Sequence, residues 1–112
     1  MKIDLLGTMW DIRIGQVSAA EGGQMRFGFM DAEDHSITIH HDSDPTWRFY
    51  LVLHEVLHAL SFLGHLQFLR RDDHPGFDDE SKVDAIASLL AEVLLRNNLV
   101  THADVDKLFE GV

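Results

Sequence analysis

The chain has 112 residues, no Cys, 8 His, 9 Lys+Arg and 19 Asp+Glu, giving a formal net charge of −10 at pH 7. This length reads as one domain over residues 1–112 with a core that needs no staples, and the lack of thiols excludes a disulfide framework and cysteine zinc fingers. Phosphate backbones and anionic lipid heads reward clustered basic residues, but the one basic pair, Arg70-Arg71, is followed at once by Asp72-Asp73, so no nucleic-acid or membrane partner is expected.

Residues 1–10, MKIDLLGTMW, have neither a basic start nor a sustained apolar stretch. That predicts no secretory signal and, with no run near the roughly 18 apolar residues of a membrane span, a cytoplasmic location. Three short runs then alternate with period two, the mark of a strand with one buried face. Trp10, Ile12 and Ile14 alternate with Asp11 and Arg13; Met25, Phe27 and Phe29 with Arg26 and Gly28; Ile37 and Ile39 with Ser36, Thr38 and His40. They predict a three-stranded sheet over about residues 8–41, with a loop at Gly22-Gly23 and a hairpin turn at Asp31–Asp34. Asp44-Pro45 has the form of a helix cap followed by Pro in the first turn. From about 45 to 63 the helix it opens is apolar on nearly every side, which marks a buried, central helix. Gly64 stands near its end, and His74-Pro75-Gly76 turns the chain. A second helix is expected over about 79–96, with Val83, Ile86, Leu90, Val93 and Leu94 at helical spacing and Asn97-Asn98 as its stop. Thr101 with Asp104 forms the capping-box pattern of a short third helix. The fold class is therefore α+β.

Inside the buried helix stands His54-Glu55-Val56-Leu57-His58, an HExxH motif. Residues four apart on a helix share a face, so the two imidazoles can converge on one metal ion. Glu55 projects beside the pair, a position suited to a base acting on metal-bound water. At this chain's own His and Glu frequencies the pattern arises by accident about 0.03 times per sequence, so chance explains it poorly. An ordinary surface helix explains it poorly too, because burial-averse side chains among apolar neighbours need partners.

A catalytic zinc ion usually takes three protein ligands. The HExxHxxGxxH pattern would need Gly at position 61 and His at position 64, where Ser61 and Gly64 stand. His65 would lie about 10 Å along the helix from His58 and reads as a residue near the helix end. Glu80, with Asp84 four residues on, fits better: both carboxylates share one face of the second helix. That face continues through Ala87, Ser88 and Ala91, small enough for close approach. Glu80 can complete a zinc site while Asp84 accepts a hydrogen bond from a ligand histidine. The competing reading is an acidic first turn facing the helix dipole, which suits Asp78 and Asp79.

HExxH on one helix and ExxxD some twenty residues later on the next resembles the gluzincin metallopeptidases. The size resembles their minimal single-domain forms, the minigluzincins, and the related ImmA/IrrE-type and phage-encoded peptidases. The likeness covers roughly residues 35–97 and implies a zincin-like fold. It implies His54, His58 and Glu80 as zinc ligands, Glu55 as general base and acid, and Asp84 as partner of His54. It also implies that an extended peptide or protein substrate pairs with an edge strand, for which Ser36–His41 fits. The large forms have a second subdomain that stabilises the oxyanion; within this chain Tyr50, one turn before His54, and His74, between the helices, are the candidates. His40 and His41 end the proposed substrate strand, where one points in and one out. His35 and His102 read as turn and helix-start residues, and Asp72-Asp73 with Asp78-Asp79 as solvated surface. The function implied is that of a monomeric zinc-dependent peptidase hydrolysing peptide bonds by metal-activated water. The alternative is a zinc-stabilised domain without turnover, an interaction protein of a phage or mobile element.

Overall fold

In a computed structural model, which describes residues 1–19, 23 and 26–109, a four-stranded mixed sheet is followed by three helices, an α+β fold. The sheet has one strand more than the alternation predicts. The additional β1 (Lys2–Leu5) pairs antiparallel with β2 (Thr8–Gly15) through the two-residue turn Leu6-Gly7. Both turn residues have positive φ, 54° and 92°, the hand that suits the twist of a hairpin, and Asp4 accepts the Gly7 N–H at 2.6 Å. The turn is hard to read because Leu6 stands where Asn or Gly is usual, and β1 is only four residues long.

The predicted hairpin is present. β3 (Gly28–Asp31) and β4 (Ser36–His40) run antiparallel, with Gly28 opposite Ile39 and Asp31 opposite Ser36. The Asp31 carboxylate accepts backbone N–H groups of Glu33 and Asp34 at 3.0 and 3.1 Å and so closes the turn. β4 also pairs parallel with β2, which sets the strand order β1-β2-β4-β3.

Two expectations are corrected by that order. Ser36–His41 is not an edge, because β4 lies between β2 and β3; among the described residues the edge strands are β1 and β3, and β3 is the one beside Glu55. The phase of β3 is also reversed. Phe27 and Phe29 are 42% and 41% exposed, while Met30 packs on the core and Gly28 lies opposite fully buried Ile39. Paired residues point to the same side of a sheet, so the buried isoleucines of β4 determine which set of β3 turns inward. Both sets of β3 carry apolar residues, and alternation then has a period but no phase. The expectations for Gly22 and Met25 lie outside the described residues.

Asp44 caps a 3-10 turn (Pro45–Trp47) by accepting the Thr46 N–H at 2.9 Å, and α1 (Arg48–Phe62) continues from it. This helix is apolar nearly all round because it is covered on two sides. Val52 and Ala59 meet Trp10, Ile12, Ile37 and Ile39 of the sheet. Leu57 meets Val83 and Ala87 of α2 (Glu80–Arg96), and Phe49 meets Ala91 of α2 and Val105 of α3 (His102–Leu108). As expected, Ala87 and Ala91 are the small buried residues at the α1–α2 contact, whereas Ser88 is exposed. Leu90 and Val93 point outward, at 42% and 53% exposure. Gly64, with φ of 90°, follows the end of α1, so His65 lies beyond the helix and is exposed. Asn97 and Asn98 end α2, and the Thr101–Asp104 capping box opens α3. Among the described residues no helix is long and apolar enough to cross a membrane.

Candidate metal centre

Close packing of α1 on α2 through Ala87 brings the first turn of α2 beside the middle of α1. There His54 and His58, one turn apart, turn their rings toward each other, with Nε2 atoms 3.2 Å apart. Glu80, the first residue of α2, places Oε2 3.2 Å from His54 Nε2 and Oε1 3.1 Å from His58 Nε2. Donors held at about 2.0–2.1 Å by a tetrahedral zinc ion are about 3.3 Å apart. The triangle of side chains has that size, and its atoms are two imidazole nitrogens and a carboxylate, a donor set that suits zinc.

Hydrogen bonds behind the rings strengthen the fit. His54 Nδ1 lies 2.9 Å from Asp84 Oδ1, and His58 Nδ1 lies 2.7 Å from Asp78 Oδ2. An ionised carboxylate only accepts, so each Nδ1 donates, and a neutral ring then offers a lone pair at Nε2. With each Nδ1 proton donated to its carboxylate, the two Nε2 atoms and the Glu80 carboxylate face one another at 3.1–3.2 Å, a cluster that a metal ion or, in its absence, a shared proton would hold together. Burial lowers the His58 pKa, but hydrogen bonds to Glu80 and Asp78 outweigh it and raise it to about 9. Hydrogen bonds from His54 and His58 hold the Glu80 carboxyl far below the usual carboxylate range. In the metal-free chain a proton therefore occupies the place that a metal ion would take.

The structure brings together each of the five predicted site residues, His54, Glu55, His58, Glu80 and Asp84, around one cavity of about 750 Å³. Glu55 is 8% exposed and stands outside the ligand triangle, against β3. Burial raises its pKa, and the neighbouring His54 and His58 pull the other way. A Cβ on Gly28 would lie 3.0 Å from Glu55 Oε1, so Gly28 leaves the space that this carboxylate uses.

Sequence reasoning missed Gly28 and misplaced Asp78. Read as solvated surface, the Asp78 side chain is only 14% exposed and accepts the Ser61 hydroxyl at 2.5 Å as well as the His58 N–H. Ser61, three residues after His58 and itself buried, was the available signal: a polar side chain on a buried helix face needs a partner. Asp72 and Asp73 are exposed, as expected, and Asp79 caps α2 through the Ser81 N–H.

The two oxyanion candidates part company. Tyr50 lines the cavity, but its hydroxyl donates to Asp84 at 2.8 Å; burial, then that bond, push its pKa up to about 12. His74 stacks edge-on against Phe77 at 4.5 Å and is not among the residues lining the cavity. Of the other histidines, His40 is buried and accepts the Asp42 N–H, while His41 is exposed, one in and one out as expected. Neither lines the cavity. His35, at positive φ, stacks on Trp10, and His102 begins α3.

The chain matches no family model, no curated protein and no solved structure. The geometry of its own residues carries the functional reading.

Proposed function

We propose that the chain is a zinc-dependent peptidase, a minimal zincin-like domain with a gluzincin-type centre in which His54, His58 and Glu80 hold the ion. The observation that carries this is the triangle of His54, His58 and Glu80 ligand atoms within 3.1–3.2 Å of one another, each histidine fixed from behind by a carboxylate. Three protein ligands rather than four is the number found at catalytic zinc sites. When bound, the ion would polarise a peptide carbonyl and increase the acidity of water.

The remaining chemistry belongs to the chain. Glu55, buried beside the triangle, accepts a proton from the attacking water at a carboxylate oxygen and returns it to the leaving nitrogen. Burial raises its pKa, which favours holding the proton between the two transfers. β3 supplies the binding edge. His40 N–H bonds Phe27 C=O, and antiparallel pairing alternates, so Phe27 and Phe29 turn their backbone groups toward β4 while Gly28 and Met30 turn theirs outward. An extended peptide can pair there, beside Glu55.

The test is cleavage of a peptide library by zinc-loaded protein and by Glu55→Gln. The variant should keep its zinc and lose about 10²–10⁴ in rate. Equal rates in the two proteins, or no cleavage by the zinc-loaded parent, would contradict the proposal. One observation favours a second reading, a zinc-stabilised domain without turnover: the Tyr50 hydroxyl is already bound to Asp84. On that reading zinc raises the melting temperature and no peptide is cleaved.

A further inference from the structure

We infer that Arg26 is a specificity-determining residue that binds the C-terminal carboxylate of the substrate, so that the chain trims peptides one or two residues from their C-terminus. This rests on the peptidase reading above. Arg26 lies two residues before β3 and lines the same cavity as the ligand triangle, the one Lys or Arg to do so among the described residues. Its Nε and Nη2 donate to the backbone carbonyls of Ser18 and Ala19 at 3.2 and 3.3 Å, and the guanidinium lies over the Phe29 ring, 5.0 Å from its centre. Neutral carbonyls and an aromatic face fix the group in place without cancelling its charge. Those two bonds use one N–H each, and the fork between Nη1 and Nη2 can still hold a carboxylate through two parallel bonds.

The direction of β3 then fixes which end of a peptide arrives there. A strand paired antiparallel to β3 has its C-terminal end at Arg26; a parallel one would bring its ammonium group to a guanidinium. Elsewhere the cavity is lined by Glu55, Glu80 and Asp84, which repel a carboxylate, so the Arg26 end is where an anion can sit. Distance limits the length of the trimmed piece. Gly28 lies against Glu55; the Arg26 backbone is two residues from it, roughly 7 Å if extended, and its guanidinium lies over the ring of the adjacent Phe29. A scissile bond level with Gly28 thus leaves one or two residues before the carboxylate meets the guanidinium. Hydrolysis consumes one water: the C–N bond breaks, the shortened peptide gains the hydroxyl as a new carboxylate, and the released residue or dipeptide gains the proton on its amine.

The experiment uses zinc-loaded Glu55→Gln protein, which should bind without turnover, and the peptide acetyl-Ala-Phe-Phe-Leu-Ala as its free acid and as its C-terminal amide. The acid should bind at least tenfold more tightly than the amide. Adding Arg26→Gln should weaken the acid to the level of the amide and leave the amide unchanged, which also shows that the variant is folded; Arg26→Lys should keep part of the preference. Equal binding of acid and amide, or equal weakening of both by Arg26→Gln, would overturn the inference. Products from the zinc-loaded parent, read by mass spectrometry, should lack one or two C-terminal residues. Internal cleavage of both peptides alike would overturn the role of Arg26 while leaving the peptidase standing. Selective binding of the acid with neither peptide cleaved would instead overturn the peptidase reading, and trimming with it.

Discussion

Asp84 and Asp78 do the same job for two histidines, yet one was legible in the sequence and the other was not. Asp84 lies four residues after Glu80 on a regular helix, so spacing alone sets both carboxylates on one face. Asp78 precedes the helix, where spacing has no fixed meaning, and its place is set by Ser61 on another element. Both carboxylates hold an imidazole by its Nδ1 proton and aim Nε2 at the ligand triangle. Asp78→Asn keeps the size of the side chain but replaces one acceptor with a donor. Zinc affinity should fall about 10–100-fold, measured by competition with a chromophoric chelator; an unchanged affinity would show that Asp78 only anchors the loop.

At the scale of elements, the helices were the readable part. Asp44-Pro45, the all-round apolar face of α1 and the Thr101–Asp104 capping box each carry a local physical signal, and each stands where expected. The sheet was less readable because its order and phase depend on partners far along the chain. Whether β3 turns Gly28 or Phe29 inward is decided by its register with β4, and whether β4 is an edge by the presence of β3 outside it. The functional consequence is the contact between β3 and α1. Gly28 has no positive φ, so its backbone accepts Ala, but the new Cβ would meet Glu55 Oε1 at 3.0 Å and Cγ at 3.1 Å. Gly28→Ala should therefore move the carboxylate, lowering the rate of hydrolysis about tenfold while zinc affinity stays within twofold. A fall in zinc affinity of the same size would place the damage in the ligand triangle instead.

For the whole molecule, the net charge of −10 says less than the few carboxylates that surround two histidines. Their effect should be visible as a pH dependence. The folded pKa of His58, about 9, lies above its ordinary 6.5, so its contribution to the stability of metal-free protein is full below pH 6.5 and is lost as pH rises through about 9. Glu80 has the opposite sign: its pKa is lowered from 4.5, so its contribution is present above that value and is lost as pH falls below it. Melting temperatures in excess chelator should be highest between these limits. Zinc must displace the His58 proton, so its apparent affinity should rise about tenfold per pH unit and level off near pH 9. The most direct test of the metal centre is equilibrium titration of the metal-free chain with zinc at neutral pH, alongside Glu80→Gln. One ion should bind per chain, with a melting temperature that climbs with free zinc and an affinity at least a hundredfold weaker in the variant. No saturable binding, or binding that Glu80→Gln leaves intact, would contradict the proposed centre.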